Sequence, residues 1–357
     1  MALNTTNTME ASKEASKERV LDALSARRFF KLIGGGSLTD ADKIARLLQV
    51  YATAGIDCID IAPDAGVLAA IETVYAALPP EVSRPLVMVS IPLDPDPHFR
   101  KIELVEPHCI VCDACVPVCP TDAILNTGKI EIDQPLCYGC GRCVDVCPTQ
   151  ALLLHPFLQQ EELTTVLSHP LVEAVEIHTQ HVDPYMLDDF LKRHGVLLKD
   201  KLIALCFRPQ DEDSEGHQPG AVKNQHEGRQ PGAVKNWIAF CRKLKAGLPG
   251  FRILQIDGQP MSGTDDPAAS LPSLRAACEI KKQRAEAPDL QDLFITLSGG
   301  INTHTARLLD DPAYAFIAGV GMGTVARRHV WDALGGSDFD RAQALAGQLV
   351  GLFRRRV

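Results

Sequence analysis

Two cysteine runs decide how this chain is organised: CIVCDACVPVCP at residues 109–120 and CYGCGRCVDVCP at residues 137–148. Each run has the spacing Cys-x2-Cys-x2-Cys-x3-Cys-Pro, which is the ferredoxin-type pattern for binding [4Fe–4S] clusters. In this pattern three thiolates of a run wrap one cluster and the fourth reaches the other cluster. The spacing therefore predicts two clusters held by two exchanged sets of ligands. The first set is Cys109, Cys112, Cys115 and Cys147, and the second is Cys137, Cys140, Cys143 and Cys119.

Zinc sites and disulfides are the alternative uses of these cysteines. Zinc sites usually combine two separated Cys-x2-Cys pairs, without the third cysteine and the closing proline found here. Disulfide frameworks suit small secreted domains, whereas this chain has 357 residues and starts without the apolar segment of a signal peptide. We therefore interpret both runs as iron–sulfur ligands. The other cysteines lie in apolar segments and are predicted to be buried core thiols; they are Cys58, Cys206, Cys241 and Cys278.

Outside the cysteine segment, short apolar runs alternate with amphipathic helical stretches. Three apolar runs precede the segment and five follow it, at Phe29–Ile33, Ile56–Ile61, Leu86–Ile91, Val175–His178, Leu202–Phe207, Arg252–Asp257, Leu293–Leu297 and Phe316–Gly319. Apolar runs between helices indicate parallel strands that are buried on both faces. Eight such units close a (β/α)8 barrel, so we predict an α/β TIM-like barrel interrupted after strand 3 by a ferredoxin-like insert. An open doubly wound sheet is the alternative, because periodicity alone does not show closure.

The predicted domain boundaries follow from this pattern. Residues 1–20 are expected to be disordered, residues 21–91 and 158–357 to form the barrel-like domain, and residues 92–157 the ferredoxin-like domain. Loops that follow barrel strands lie at the C-terminal face, so the clusters are expected beside the barrel mouth. The segments EGHQPGAVKNQH and EGRQPGAVKNWI repeat at a period of 12 residues after the fifth strand. We interpret this repeat as a duplicated surface loop.

Glycine-rich turns follow the seventh and eighth strands, with the sequences SGGIN at 298–302 and GVGMGT at 319–324. In many barrels these two loops bind phosphate through glycine N–H groups and a helix N-terminus. We therefore predict a phosphate site, with flavin mononucleotide (FMN) as its candidate occupant, at Gly299, Gly300, Gly321 and Gly323. The alternative is that these glycines only allow tight strand-to-helix turns.

Polar residues also gather at the predicted strand ends. They are Lys31, Asp60, Ser90, Glu176, His178, Arg208 and Asp257. Convergence of charge at this face is typical of an active site, although strand ends are polar wherever a barrel meets solvent. Lys31 and Asp257 are the candidate functional pair, and no catalytic role is assigned to either from the sequence.

Charge and hydropathy limit the partners. The net charge of −9 argues against nucleic acid or an anionic membrane as the main partner. No apolar stretch approaches the roughly 20 residues that span a bilayer, so a cytoplasmic protein is expected. Residues 107–157 carry five acidic residues against one lysine and one arginine, so a docking partner should present a basic face.

The sequence resembles the cyanobacterial light-dependent period family, LdpA. The resemblance rests on FFKLIGGG at 29–36, the two cysteine runs, and the SGGIN and GVGMGT turns. It implies an iron–sulfur protein that senses cellular redox state, in part by contact with quinones, and adjusts the circadian period by associating with clock proteins. The rival functions are an oxidoreductase, in which the clusters pass electrons to a flavin or substrate at the barrel mouth, and a plain electron carrier.

Overall fold

The computed structural model describes residues 2–158, 160–179, 184–207, 237–258, 263–336 and 338–354. Its strands are β1 (Phe29–Ile33), β2 (Cys58–Ile61), β3 (Leu86–Pro92), β4 (Arg100–Leu104), β5 (Ile124–Asn126), β6 (Ile130–Ile132), β7 (Leu152–Pro156), β8 (Ala174–Thr179), β9 (Leu202–Phe207), β10 (Phe251–Asp257), β11 (Phe294–Ser298) and β12 (Ile317–Met322). Eight of these strands form a closed barrel in the order β1-β12-β11-β10-β9-β8-β3-β2. The predicted TIM-like barrel is therefore confirmed.

Strand β1 closes the barrel because it pairs in parallel with strands on both of its edges. Lys31 is in register with Cys58 of β2 and with Gly321 of β12. This closure excludes the open doubly wound sheet. Strand β12 continues to Met322, beyond its predicted end at Gly319, so Gly321 belongs to the strand and not to the turn after it.

Helices cover the outside of the barrel, and one short helix, at Arg142–Asp145, lies in the insert. They are α1 (Ala2–Ser25), α2 (Ala41–Thr53), α3 (Ala65–Ala77), α4 (Arg142–Asp145), α5 (Gln160–Leu167), α6 (Met186–Leu198), α7 (Trp237–Gly247), α8 (Leu271–Arg284), α9 (Thr303–Leu308), α10 (Thr324–Gly335) and α11 (Phe339–Arg354). Within the described ranges, no helix is both long enough and apolar enough to cross a bilayer.

Helix α1 corrects the expectation of a disordered segment over residues 1–20, because the helix begins at Ala2. Near its end, Val20, Ala23 and Leu24 are buried in one cluster with residues at the strand starts, among them Leu86 and Ala174. Helix α1 thus covers the N-terminal end of the barrel. The Ser16 hydroxyl also donates a hydrogen bond to the Glu173 carboxylate at 2.7 Å, which anchors the helix further.

The insert between β3 and β8 contains two small antiparallel sheets, β4–β7 and β5–β6. Strands β5 and β6 form a hairpin, and Gly128 at its turn has a φ of 98°. The insert has its own core, in which Ile102, Ile124 and Leu152 pack beside Cys115 and Cys143. The cysteines are therefore held by a folded unit that is built into the barrel chain.

Candidate functional site

The eight cysteines of the two runs form two groups of four free thiols. One group, which we call the outer set, surrounds Cys115 and consists of Cys109, Cys112, Cys115 and Cys147. The other group, which we call the inner set, surrounds Cys143 and consists of Cys137, Cys140, Cys143 and Cys119. Each set takes three thiols from one run and the fourth from the other run. The structure thus brings together the ligands that the exchanged pattern requires.

Equivalent positions of the two runs share a left-handed backbone. Val111 and Gly139 have φ values of 53° and 67°, and Asp113 and Gly141 have φ values of 62° and 80°. This conformation is uncommon for non-glycine residues and unfavourable for a β-branched side chain such as valine. Strain of this kind persists where the surroundings fix the backbone, as a bound cluster would.

Backbone N–H groups donate to the fourth sulfur of each run. The Ala123 N–H lies 3.3 Å from Cys119 Sγ, and the Ala151 N–H lies 3.2 Å from Cys147 Sγ. Burial alone would raise the pKa of Cys147, but hydrogen bonds from Ala151, Thr149 and Leu152 lower it and favour the thiolate. Hydrogen bonds to sulfur are also a means by which proteins tune iron–sulfur clusters. Thiolate donors, loop backbone and N–H···S bonds therefore fit iron–sulfur clusters.

Gly139 gives a test of how the inner set is packed. A Cβ atom on Gly139 would lie 2.1 Å from the Arg100 carbonyl oxygen, so Gly139→Ala should displace the loop from β4. We expect the variant to lose about half of its iron after anaerobic purification. Gly128→Ala is the matched control, because Gly128 is also left-handed but has no atom within 4 Å of the added Cβ. Equal iron contents in the two variants would contradict this packing.

The two sets differ in their surroundings. In the outer loop, Ile110 and Val111 are 63% and 40% exposed, and Cys112 is exposed as well. At the position equivalent to Ile110, the inner loop has Tyr138, which is only 6% exposed and packs against the barrel core. The outer set therefore lies at the surface, whereas the inner set lies against the barrel mouth.

A cavity occupies this mouth, and its empty volume of about 770 Å³ includes the open solvent at its entrance. Tyr138 lines the cavity on the side of the insert, and all four predicted phosphate-site glycines line it on the barrel side: Gly299, Gly300, Gly321 and Gly323. Two of them have steric reasons to be glycine. A Cβ on Gly300 would lie 2.1 Å from the Ala269 carbonyl oxygen, and a Cβ on Gly321 would lie 3.1 Å from Lys31 Cε. Phosphate binding by this group stays a prediction.

A buried ion pair lies next to the cavity, and its Glu176 lines the cavity wall. The Lys31 ammonium donates to Glu176 Oε2, and both side chains are 1% exposed. Gln255 Nε2 and His178 Nε2 each lie 2.9 Å from Glu176 Oε1. Burial alone would lower the pKa of Lys31, but Glu176 and Asp60 hold it above its usual value. Burial would raise the pKa of Glu176, but Lys31 and His178 hold it well below its usual range.

The other predicted strand-end residues stand around this pair. The Ser90 hydroxyl donates to Asp60 Oδ1 at 2.6 Å, and burial raises the pKa of Asp60 to about 6. Asp57, which is not one of the predicted residues, accepts a hydrogen bond from the Phe30 N–H near the N-terminal end of the barrel. Asp257 accepts from the Ser298 hydroxyl at 3.3 Å. Arg208 lies outside the described residues.

Lys31 and Asp257, the two residues favoured for mutation from the sequence, have different partners in the structure. Lys31 is paired with Glu176, whereas Asp257 faces His98 Nε2 at 4.0 Å. His98 also lies 2.7 Å from Asp96 Oδ1; burial alone would lower the pKa of His98, but Asp96 raises it to about 9. Sequence reasoning missed this imidazolium because DPDPH at 94–98 was interpreted only as the start of the insert.

Two further cavity residues were missed. Tyr138 occupies an apolar-looking position between two cysteines, and Arg327 lies in the first turn of α10. The Arg327 guanidinium carbon lies 5.3 Å from the centre of the Tyr138 ring. The signal for Arg327 was its place one turn after the GVGMGT sequence. No pattern in the sequence marks Tyr138 as a contact between the insert and the barrel.

Comparison with solved structures gives matches of low sequence identity. The tryptophan synthase alpha chain from Legionella pneumophila aligns with a TM-score of 0.47 and 11% identity, covering 95% of this chain and 97% of that chain. A truncated 3-deoxy-D-arabino-heptulosonate 7-phosphate synthase from Thermotoga maritima aligns with a TM-score of 0.41 and 11% identity, covering 91% and 86%. These TM-scores are too low to support a functional argument.

Sequence comparison is more informative. The family model of the LdpA Fe-S cluster-binding domain matches residues 107–155, and that of the light dependent period A C-terminal domain matches residues 166–346. Light dependent period A from Synechococcus elongatus is 30% identical over 320 residues, which cover 86% of this chain and 82% of that protein. The segment with the cysteine runs is therefore an iron–sulfur cluster-binding domain, and the chain belongs to the light dependent period A family.

Proposed function

We propose that this chain is an iron–sulfur redox sensor that adjusts the circadian period through contacts with clock-associated proteins in the cytoplasm. The name of its relative from Synechococcus elongatus and the matched cluster-binding domain support this function. The outer and inner sets would each hold one [4Fe–4S] cluster, and each cluster, when bound, supplies reversible electron exchange. A sensor also requires that a partner protein binds the oxidised and reduced forms of the chain with different affinities.

Exposure of the outer set is the observation that carries this proposal. Cys112 is exposed, and the apolar side chains of Ile110 and Val146 beside the set are 63% and 39% exposed. A charge change at the outer set would therefore act on a bound partner across little intervening protein. Asp113 and Asp145 next to this surface are also exposed, so a partner with a basic face is favoured.

Affinity at two poised potentials tests the sensor. We expect a clock-associated partner to bind air-oxidised and dithionite-reduced protein with affinities that differ several-fold, since only differential affinity can shift a binding equilibrium. Cys112→Ser should abolish this redox dependence. Cys278→Ser is the matched control, because Cys278 is partly buried in α8, outside both runs. Affinity that is independent of potential in the wild-type chain would contradict the proposal.

An oxidoreductase is the second candidate function, and the cavity beside the inner set favours it. Tyr138 joins the inner loop to a cavity that lies next to a buried ion pair and is lined by an aspartate whose pKa is raised to about 6. Groups with such perturbed pKa values are typical of proton-transfer sites. A flavin or a quinone in the cavity would be the electron partner. Flavin bands in the visible spectrum of freshly purified protein would favour this candidate over the sensor.

A further inference from the structure

Arg327 is a buried cation without a carboxylate partner among the residues that the structure describes. Its side chain is 6% exposed and donates to the carbonyl oxygens of Ile33 and Gly34 at 2.6 and 3.0 Å. Its third partner is the Thr324 hydroxyl at 3.2 Å. Burial lowers the pKa of Arg327, and the groups that oppose this are the phenols of Tyr138 and Tyr51. An uncompensated buried charge is unfavourable, so this position favours an anion nearby.

The N-terminus of α10 adds positive potential at the same place. This helix has 12 residues, and no side chain of the described residues caps its N-terminus. Gly323, Thr324 and Val325 line the cavity, so the unpaired N–H groups of the first turn belong to the cavity wall. A Cβ on Gly323 would lie 3.4 Å from Arg327 Nη1, which places the guanidinium beside this turn. The helix dipole and the guanidinium both favour negative charge here.

The Tyr138 hydroxyl is a third, independent feature. Tyr138 is 6% exposed, and its hydroxyl has no hydrogen-bond partner among the described residues, although the Thr324 side chain lies beside it outside hydrogen-bond geometry. Buried hydroxyls are nearly always hydrogen-bonded, so an unpaired one that lines a cavity indicates a missing acceptor. The donors of Tyr138, Arg327 and the α10 N-terminus converge on one corner of the cavity.

We propose that this corner binds the phosphate group of a small-molecule ligand, with Arg327, Tyr138 and the first turn of α10 as the donors. A phosphate group offers several strong acceptor oxygens and up to two negative charges, which match this set of donors. The other residues that line the cavity, among them Gly299, Gly300 and Ile301, would contact the rest of such a ligand. Of the four predicted glycines, Gly323 contributes to this subsite, whereas Gly300 and Gly321 are explained by packing.

The subsite also couples ligand binding to the inner set, and this part of the inference rests on the proposed function. Tyr138 lies between Cys137 and Cys140, so a bound phosphate places negative charge beside the inner set. Added negative charge opposes reduction there. By linkage, reduction must weaken phosphate binding by the same factor by which phosphate disfavours reduction.

Equilibrium dialysis tests the subsite. It measures the affinity of the oxidised full-length holoprotein for FMN, riboflavin and inorganic phosphate. We expect FMN to bind at least tenfold more tightly than riboflavin, which lacks the phosphate, and inorganic phosphate to compete with FMN. Binding of inorganic phosphate without FMN would also support the subsite and would identify another phosphate compound as the ligand. Equal binding of FMN and riboflavin, or no binding of any of the three, would overturn the proposal.

Tyr138→Phe is the sharpest variant, because it removes a hydroxyl that makes no hydrogen bond within the described chain. We expect it to weaken phosphate binding by roughly tenfold or more, as for a hydrogen bond to a charged group. Tyr314→Phe is the matched control, because Tyr314 lies before β12, at the opposite end of that strand from the cavity. Unchanged affinity in Tyr138→Phe would overturn the assignment of this hydroxyl and the subsite built on it.

Iron content in the same samples separates this inference from the proposed function. Phosphate binding in protein without iron would support the subsite and contradict the cluster proposal. Full iron content without phosphate binding would overturn the subsite alone. In dithionite-reduced protein we expect phosphate to bind about tenfold more weakly, which corresponds to a shift of about 59 mV for one electron. Identical affinities in the two redox states would overturn the coupling.

Discussion

Replacing Lys31 with methionine is expected to destabilise the barrel by about 3–5 kcal/mol. The reason is that Lys31 and Glu176 are both 1% exposed, so the substitution leaves a carboxylate buried without its cation. Gln255 and His178 still donate to that carboxylate but do not replace the charge. In a chain of this size the loss should lower the apparent midpoint of thermal unfolding by roughly 5–10 °C, measured by circular dichroism.

Two controls isolate the buried charge. Lys129→Met removes the lysine of an exposed ion pair, in which Lys129 and Glu131 are 71% and 44% exposed, and should cost less than about 1 kcal/mol. The double variant Lys31→Met/Glu176→Gln removes both buried charges and should recover most of the lost stability. Equal losses for Lys31→Met and Lys129→Met would show that the buried pair does not stabilise the barrel.

The barrel was predictable because its strands are apolar on both faces. The runs at Phe29–Ile33 and Leu202–Phe207 coincide with β1 and β9, since buried parallel strands leave few polar positions. Closure was not predictable from those runs. It depends on the pairing of β1 with β12, which are far apart in the chain and carry no local signal of their contact.

Helix α1 was missed because its first half is polar and its apolar residues are few. Its buried apolar residues, Val20, Ala23 and Leu24, lie near its end, where they pack against the N-terminal end of the barrel. A short apolar group in a polar segment gives a weak periodic signal, and the tertiary contact decides the outcome. The sequence therefore predicted a disordered segment, whereas the structure has a helix that packs over the N-terminal end of the barrel.

The sequence identified several residues of the site but not which of them contact one another. Lys31, Asp60 and Glu176 were singled out because they end strands, and they do meet next to the cavity. Which acid pairs with Lys31 depends on neighbours across the barrel, and these follow from the closed geometry. The contact of Tyr138 with Arg327 joins the insert to the last barrel strand and its helix, so no local pattern could indicate it.

The second large expected effect is on iron content, when the fourth cysteine of either run is replaced. Because Cys119 lies with Cys137, Cys140 and Cys143, Cys119→Ala should damage the inner set and leave the outer set intact. Cys147→Ala should do the reverse, since Cys147 lies with Cys115. Each variant should retain about four of the roughly eight irons that two [4Fe–4S] clusters provide.

The most direct measurement is electron paramagnetic resonance of the dithionite-reduced wild-type chain, Cys119→Ala and Cys147→Ala, with iron and sulfide analysis of the same anaerobic samples. The wild type should contain about eight iron and eight sulfide per chain and show two interacting clusters. Cys119→Ala should retain the signal of the cluster at the outer set, and an added paramagnetic ion should shorten the relaxation time of that signal. Cys147→Ala should retain the signal of the cluster at the inner set, which is shielded from the added ion. Two clusters with equal access to the added ion, or the loss of the surface signal in Cys119→Ala, would contradict the account.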